Sequence, residues 1–235
     1  MRILVVNPNS TGSMTDAIGV HARTVAGPGV LVESVHPPGS PPAIETHTDD
    51  VLAAPGVLAE IARRPDVDGF VVACFGDPGL LAARELAGGP VVGIAEAAMR
   101  TACYLGRSFS VVTTVARAIG HIRDLAGAYG VERQCAGVHA SGVGVLELES
   151  DPLAYERVLA TARAALAADA SDSIVLGCAG MADLTTRLSH DLGVPVVDGV
   201  TAATLEVERL VRLGLRTGKR GEFAAPAPAP VALAM

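Results

Sequence analysis

Tryptophan is absent from the 235-residue chain, and aromatic residues make up only 3% of it. Proteins that stack nucleic-acid bases do so on aromatic side chains, so this composition provides no such platform. Positive charge is scarce as well, because 18 basic residues stand against 25 acidic ones and give a formal net charge of −7. The basic residues form no stripe that could neutralise phosphates. We therefore expect no nucleic-acid partner.

Long apolar runs and metal-ligand spacings are also lacking. The opening MRILVVNPNS holds too short an apolar run for the core of a signal peptide, and no stretch approaches the roughly 18 apolar residues of a membrane span. Cys74, Cys103, Cys135 and Cys178 are far apart, without the spacing typical of zinc ligands. A Walker loop and a complete dinucleotide fingerprint are missing too. We expect a cytoplasmic protein with reduced thiols and with no metal, nucleotide or membrane.

Short runs rich in β-branched residues alternate with longer helical segments. Strands are predicted at 2–6, 30–35, 69–74, 90–94, 109–114, 135–140, 173–178 and 194–199. Helices are predicted at 13–25, 51–63, 95–105, 116–129, 152–168 and 201–213. Alternation of this kind is typical of α/β folds with parallel sheets and right-handed crossovers.

The second set of strands repeats the first. DGFVVACFGDPGL, from Asp68 to Leu80, aligns with DSIVLGCAGMADL, from Asp172 to Leu184, and five of the 13 positions are identical. The sequence therefore predicts two pseudo-symmetric lobes, each a four-stranded parallel sheet flanked by helices, with the active site in the cleft between them. We assign residues 1–105 to the first lobe and 106–200 to the second. A helix at about 201–220 would pack back on the first lobe, and 221–235 is a Pro/Ala-rich tail.

Two of the cysteines occupy the same position in the repeat. Cys74 and Cys178 each end a predicted strand, at the edge where parallel α/β sheets bind ligands. The residues that follow them are Phe75, Gly76, Ala179 and Gly180. We expect their backbone amides, at helix N-termini, to lower each thiol pKa from about 8.5 and to bind an anion. One such cysteine is more often a packed small hydrophobe, but the matched pair favours a joint catalytic role.

The symmetry also constrains the reaction. If the two thiols face each other across one ligand, a stereocentre held between them can lose a proton on one face and regain it on the other. Small polar residues near the same sheet edges are candidates for holding the ligand. They are Asn7 and Ser10 after the first strand, and Thr113 and Thr114 at the corresponding place in the second lobe, where the fifth strand ends.

Several segments together resemble one known family. NPNST, ACFGDPGL, FSVVTT, LGCAGM, PVVDGV and GLRTGKRGEF are similar to the hydantoin racemase branch, which includes allantoin racemases, of the Asp/Glu/hydantoin racemase superfamily. The resemblance implies a racemase of 5-substituted hydantoins or allantoin that uses neither pyridoxal phosphate nor a metal. It implies that Cys74 and Cys178 form the acid/base pair. Backbone amides and small polar residues would hold the ring, and the protein would be a homo-oligomer acting on a small molecule.

Other functions remain open at this stage. An amino-acid racemase or a decarboxylase of the same superfamily is one alternative, although a decarboxylase is expected to lack one of the two cysteines. A two-lobed binding protein without catalysis would share the architecture but leaves the matched thiols unexplained. A redox protein would require the two sulfurs to come within bonding distance.

Overall fold

The structure is a computed structural model that describes residues 1–226. Within them the strands are Arg2–Val6 (β1), Leu31–Val35 (β2), Gly69–Val72 (β3), Val91–Gly93 (β4), Phe109–Thr113 (β5), Cys135–Ala140 (β6), Ser173–Leu176 (β7) and Val196–Val197 (β8). The helices are Gly12–Val25 (α1), His47–Ala62 (α2), Leu80–Leu86 (α3), Ile94–Ala102 (α4), Ala118–Ala128 (α5), Glu147–Ser150 (α6), Ala154–Asp169 (α7), Thr185–Leu192 (α8) and Gly199–Arg212 (α9).

The strands form two four-stranded sheets of the same topology. Their orders are β2-β1-β3-β4 and β6-β5-β7-β8, and every pairing is parallel. The predicted α/β fold with two pseudo-symmetric four-stranded sheets is therefore confirmed. The repeat is visible in detail, because Asp68 and Asp172 each accept a hydrogen bond from the backbone next to the central strand, at Arg2 and Ser108 respectively.

Alternation along the central strands explains the layered core. On β1, Ile3 and Val5 belong to a cluster that lies between the two sheets, whereas Leu4 and Val6 belong to a second cluster under α2 and α3. Successive side chains of a strand point to opposite faces, so one apolar strand serves two layers. A third cluster lies between the second sheet, α7 and α8. The layers therefore run helices, sheet, helices, sheet, helices.

Two helices of the middle layer cross between the halves. α9 follows the second sheet in the chain but packs against β3, β4 and β1 of the first sheet. α4 follows the first sheet and packs against β7 and β8 of the second, and the two helices also contact each other. The division into lobes at residue 105 stays a prediction. The packing of α4 and α9 crosses this boundary in both directions.

The observed elements differ from the predicted ones mainly at their ends. α2 begins at His47 rather than 51, since Thr46 and Asp49 form a capping box with reciprocal hydrogen bonds of 3.0 Å. The predicted helix at 201–220 is helical only to Arg212. The short helices α3, α6 and α8 were not predicted. Of the predicted tail, residues 227–235 lie outside the described part of the chain.

Candidate active site

A cavity of about 480 Å³ lies at the carboxyl ends of the central strands of both sheets. Cys74 lines it from the first half and Cys178 from the second, each two residues beyond a strand, β3 or β7. The backbone stays in register past each strand, because Ala73 donates to Val6 O at 2.8 Å and Gly177 donates to Val112 O at 2.7 Å. The fold thus brings two thiols from distant parts of the sequence to one cavity.

The pKa values of the two thiols differ from what the sequence predicts. Burial raises the pKa of Cys178 to about 11 and that of Cys74 further still. Hydrogen bonds from the backbones of Gly180 and Gly76 act in the opposite direction and favour the thiolates, but burial outweighs them. The two sites also interact, since the charge on Cys178 raises the pKa of Cys74.

The expectation of lowered thiol pKa values was therefore wrong, and the local backbone gives the reason. α3 begins at Leu80 and α8 at Thr185, six and seven residues beyond the cysteines, with a turn and a 3-10 segment in between. The dipole of an α-helix acts only within its first turn, so neither thiol benefits from one. What remains near each sulfur is a single backbone donor in a buried setting.

A half-buried acid and two histidines form one wall of the cavity beside Cys74. Asp50, in the first turn of α2, has an Oδ1 atom that is buried and has no hydrogen-bond partner. Burial raises the pKa of its carboxyl, and the nearby His121 and His47 lower it. The ring nitrogen Nε2 of His121 lies 3.2 Å from Gly76 O, and His47 meets the His121 ring edge-on at 5.7 Å. This wall packs directly on the turn that carries Cys74.

The rim of the cavity joins the two halves. Glu45, just before α2, accepts a hydrogen bond of 2.8 Å from the backbone of Val145. Outside the cavity lining, Ser13 in α1 donates a hydrogen bond of 3.0 Å to Glu149 and so also joins the two halves. The segment before α2 therefore rests on the second half at one side of the cavity.

The predicted binding residues divide into two groups. Thr113 and Thr114 line the cavity, and Thr113 donates to Gly177 O at 3.2 Å. Phe75, Gly76 and Ala179 also line it, whereas Gly180 contributes only its backbone near Cys178.

Asn7 and Ser10 are not among the lining residues. The Asn7 side chain is buried and donates to Asn9 Oδ1 at 2.8 Å and to Thr15 Oγ1 at 3.0 Å, so it orders the turn after β1. Asn9, two residues on, is the amide that reaches the cavity wall.

Comparison with known proteins agrees with this geometry. The family model described as Asp/Glu/Hydantoin racemase matches residues 3–207. The chain belongs to this family. It is 45% identical to the hydantoin racemase of Rhizobium meliloti over 229 residues, 96% of this chain and 95% of that protein. The solved allantoin racemase from Klebsiella pneumoniae has 49% identity and a TM-score of 0.96, covering 99% of this chain and 96% of that one. The solved allantoin racemase from Pseudomonas fluorescens has 43% identity and a TM-score of 0.96, covering 99% and 100%.

This member of the racemase family is an isomerase. Among residues 1–226, no group of three or more His, Cys, Asp or Glu side chains is arranged to hold a metal ion. In the same residues no helix combines the length and apolar character needed to cross a membrane.

Several residues that line the cavity of this racemase were not predicted as site residues from the sequence. Glu45, Asp50, His121 and Arg117 line the cavity but lie outside the repeated segments, and the sequence analysis assigned no site role to any of them. The acid three residues beyond Cys74, Asp77, is buried and bridges the two halves. A buried carboxyl inside the cysteine motif could have been noticed, because the second half has Met181 at the corresponding position.

Proposed function

We propose that the protein racemises 5-substituted hydantoins or allantoin by two-base proton transfer between Cys74 and Cys178, without a cofactor. The observation that carries the proposal is one cavity lined by both thiols, each at the end of the equivalent strand of its sheet. The named activities of the relatives from Rhizobium meliloti and Klebsiella pneumoniae support the same substrate class.

The proton transfer is balanced as follows. The thiolate of one cysteine takes the hydrogen on C5 of the ring, so an S–H bond forms as the C–H bond breaks. The electron pair moves into the ring and is held as an enolate on the adjacent carbonyl oxygen, where backbone amides beside the cysteines stabilise it. The thiol of the other cysteine then donates its proton to the opposite face of C5. The ring leaves inverted, and the two cysteines have exchanged protonation states.

The charge of the cavity suits a neutral ring. Its lining includes the carboxyls of Glu45 and Asp50 and the guanidinium of Arg117. A substrate that is itself an aspartate or glutamate would bring two further carboxylates close to them. A hydantoin ring has no carboxylate. Its C5 hydrogen lies beside a carbonyl that can take up the electron pair, so removal of that hydrogen needs no additional electron sink. The proposal therefore favours cyclic derivatives over free amino acids.

The first test measures optical rotation. Purified protein, with a chelator and no added cofactor, is given single enantiomers of 5-isopropylhydantoin, 5-benzylhydantoin and allantoin. We expect the rotation of at least one compound to decay to zero. A panel without any decay would contradict the substrate class, and activity that disappears with the chelator would contradict the mechanism.

The second test separates the two faces of the stereocentre. Cys74→Ser and Cys178→Ser should each slow racemisation by about 10²–10⁴-fold, the usual contribution of a general acid or base. Each variant keeps one thiol, so it should still exchange the C5 hydrogen of one enantiomer for deuterium, and the two variants should prefer opposite enantiomers. Cys103→Ser is the control, because the Cys103 thiol donates to Met99 O at 3.2 Å and does not line the cavity. Exchange of the same enantiomer by both variants would rule out one thiol per face.

A homo-oligomer in the cytoplasm stays a prediction, and gel filtration with light scattering tests the first half of it.

A further inference from the structure

Asp77 occupies an unusual position three residues after Cys74. Its residue is 6% exposed, and its backbone adopts the left-handed conformation, with φ of 48°. The Asp77 amide donates to Cys74 O at 2.9 Å, which closes the turn that carries the thiol. A left-handed conformation is uncommon for a residue other than glycine, so the turn around Cys74 depends on contacts that hold Asp77 in place.

The Asp77 side chain supplies those contacts at the start of α4. Its carboxylate accepts hydrogen bonds from the backbones of Ala95 at 3.2 Å and Glu96 at 3.0 Å. It therefore caps a helix whose own N-cap residue, Gly93, has no side chain. A Cβ on Gly93 would come within 2.2–2.4 Å of the Asp77 carboxyl. Gly93 therefore leaves room for the Asp77 carboxylate, so the cap of α4 comes from the turn that carries Cys74 (the thiol turn) and not from the helix itself.

In the second half, the equivalent helix is capped by a residue of its own. Asp198 stands where Gly93 does in the repeat and caps α9 itself, accepting a hydrogen bond of 2.9 Å from Thr201. Met181 takes the place of Asp77 and provides no carboxylate. The tie between a thiol turn and a helix N-terminus therefore exists only on the Cys74 side.

The helix that Asp77 caps leads to the other thiol. α4 packs against β7, the strand that ends just before Cys178. Asp77 also accepts a hydrogen bond of 2.5 Å from Tyr129, the residue that directly follows α5 in the second half. Burial raises the pKa of Asp77 to about 7 although these hydrogen bonds favour its charged form. A carboxylate kept in such a place costs stability unless its hydrogen bonds are all made.

We propose that Asp77 is a positioning residue that sets the placement of the Cys74 thiol relative to the Cys178 thiol. It does so by joining the Cys74 turn to α4 and to Tyr129, both of which pack with the second half. The proposal rests on the proposed function, since it concerns the spacing of the two proton-transfer groups. It adds that the two thiols are not equivalent, because only one turn is fixed in this way.

The test separates capping from positioning with two variants. Asp77→Ala removes the cap and the tie together. Asp77→Ala/Gly93→Asp places a carboxylate at the N-cap of α4, as Asp198 does for α9, so it restores the cap and leaves the thiol turn untied. Asp198→Ala is the matched control, because it removes an equivalent cap, on Thr201, and leaves every hydrogen bond of Asp77 in place. Loss of a cap costs roughly 0.5–2 kcal/mol, which thermal unfolding of each variant measures.

Two measurements follow on each folded variant. The first is kcat and KM for racemisation. Asp77→Ala should lower kcat about 10–100-fold, since a misplacement of about 1 Å can cost as much as 100-fold, and the double variant should regain thermal stability without regaining kcat. The second is the rate of iodoacetamide labelling of each cysteine, followed by peptide mass spectrometry. The ratio of Cys74 to Cys178 labelling should change at least threefold in both Asp77 variants and stay unchanged in Asp198→Ala.

Recovery of wild-type kcat by the double variant, or an unchanged labelling ratio, would overturn the proposal and leave Asp77 as a helix cap. If the wild type does not racemise any hydantoin, the proposed function fails, whereas the labelling ratio still decides the positioning role. If Asp77→Ala does not fold, Tyr129→Phe removes one of the ties and keeps the cap. It should shift the labelling ratio in the same direction, and no shift would count against the proposal.

Discussion

Gly76→Ala tests how closely the turn beside Cys74 is packed. A Cβ on Gly76 would lie 2.7 Å from Asp50 Oδ1 and 3.4 Å from His121 Nε2. Ordinary van der Waals contact begins near 3.4 Å, so the turn or the acid must move by about 0.7 Å. Asp50 has little freedom to retreat, because Oδ1 is already buried. The same turn carries the backbone donor to Cys74, and a displacement of this size should lower kcat about tenfold or more.

The pseudo-symmetry supplies the matched control. Gly180 follows Cys178 as Gly76 follows Cys74, but a Cβ there would meet Leu148 Cδ1 at 3.2 Å and Met14 Cε at 3.5 Å. Both atoms end flexible side chains that can move aside, so Gly180→Ala should keep kcat within about threefold of the wild type. The assay is decay of optical rotation with the best substrate of the panel, together with thermal unfolding to confirm the fold. Equal losses in the two variants, or a larger loss in Gly180→Ala, would refute the reasoning.

Two further predictions concern the thiol pKa values. Since the pKa of Cys178 is about 11, only about 10⁻³ of the Cys178 side chain is thiolate at pH 8. We therefore expect kcat/KM to rise roughly tenfold per pH unit between pH 7 and 10. A pH profile of kcat/KM that is flat over this range would contradict the raised thiol pKa values. The raised Cys178 pKa also makes stability depend on pH: its stabilising contribution is complete below the unfolded pKa of about 8.5 and is lost as pH rises towards 11. Between pH 8 and 10 the free energy of unfolding in urea should therefore fall by about 2 kcal/mol more for the wild type than for Cys178→Ser. An equal pH dependence of both proteins would exclude this contribution.

The sequence predicted the elements whose pattern is local. The apolar runs around Val5, Val71, Val111 and Val175 predicted the central strands, because a short continuous run of β-branched residues is typical of a parallel strand buried on both faces. The repeat then placed Cys74 and Cys178 at equivalent strand ends. The start of α2 was missed, although Thr46 and Asp49 carry a recognisable capping box.

The parts of the site that escaped prediction depend on contacts distant in sequence. Asp50 lies beside Gly76 only because α2 and the turn after β3 meet at the edge of the first sheet. His121 comes from the second half and reaches the same turn. The thiol pKa values were mispredicted because burial, which dominates them, arises where distant segments pack around the cavity, whereas the backbone donor that favours each thiolate belongs to the local turn.

The crossing of α4 and α9 resembles the exchange of an element between the subunits of a swapped dimer. In a chain of half this length, the last helix would have no sheet of its own to cover, and two copies would have to trade helices to close both cores. Such a pair would bring one thiol from each copy to a shared cleft and would be inactive as a monomer. Two halves joined in one chain need not stay identical, and here they differ three residues after each cysteine, at Asp77 and Met181. The single chain therefore keeps within one covalent unit the helix exchange that such a pair would need.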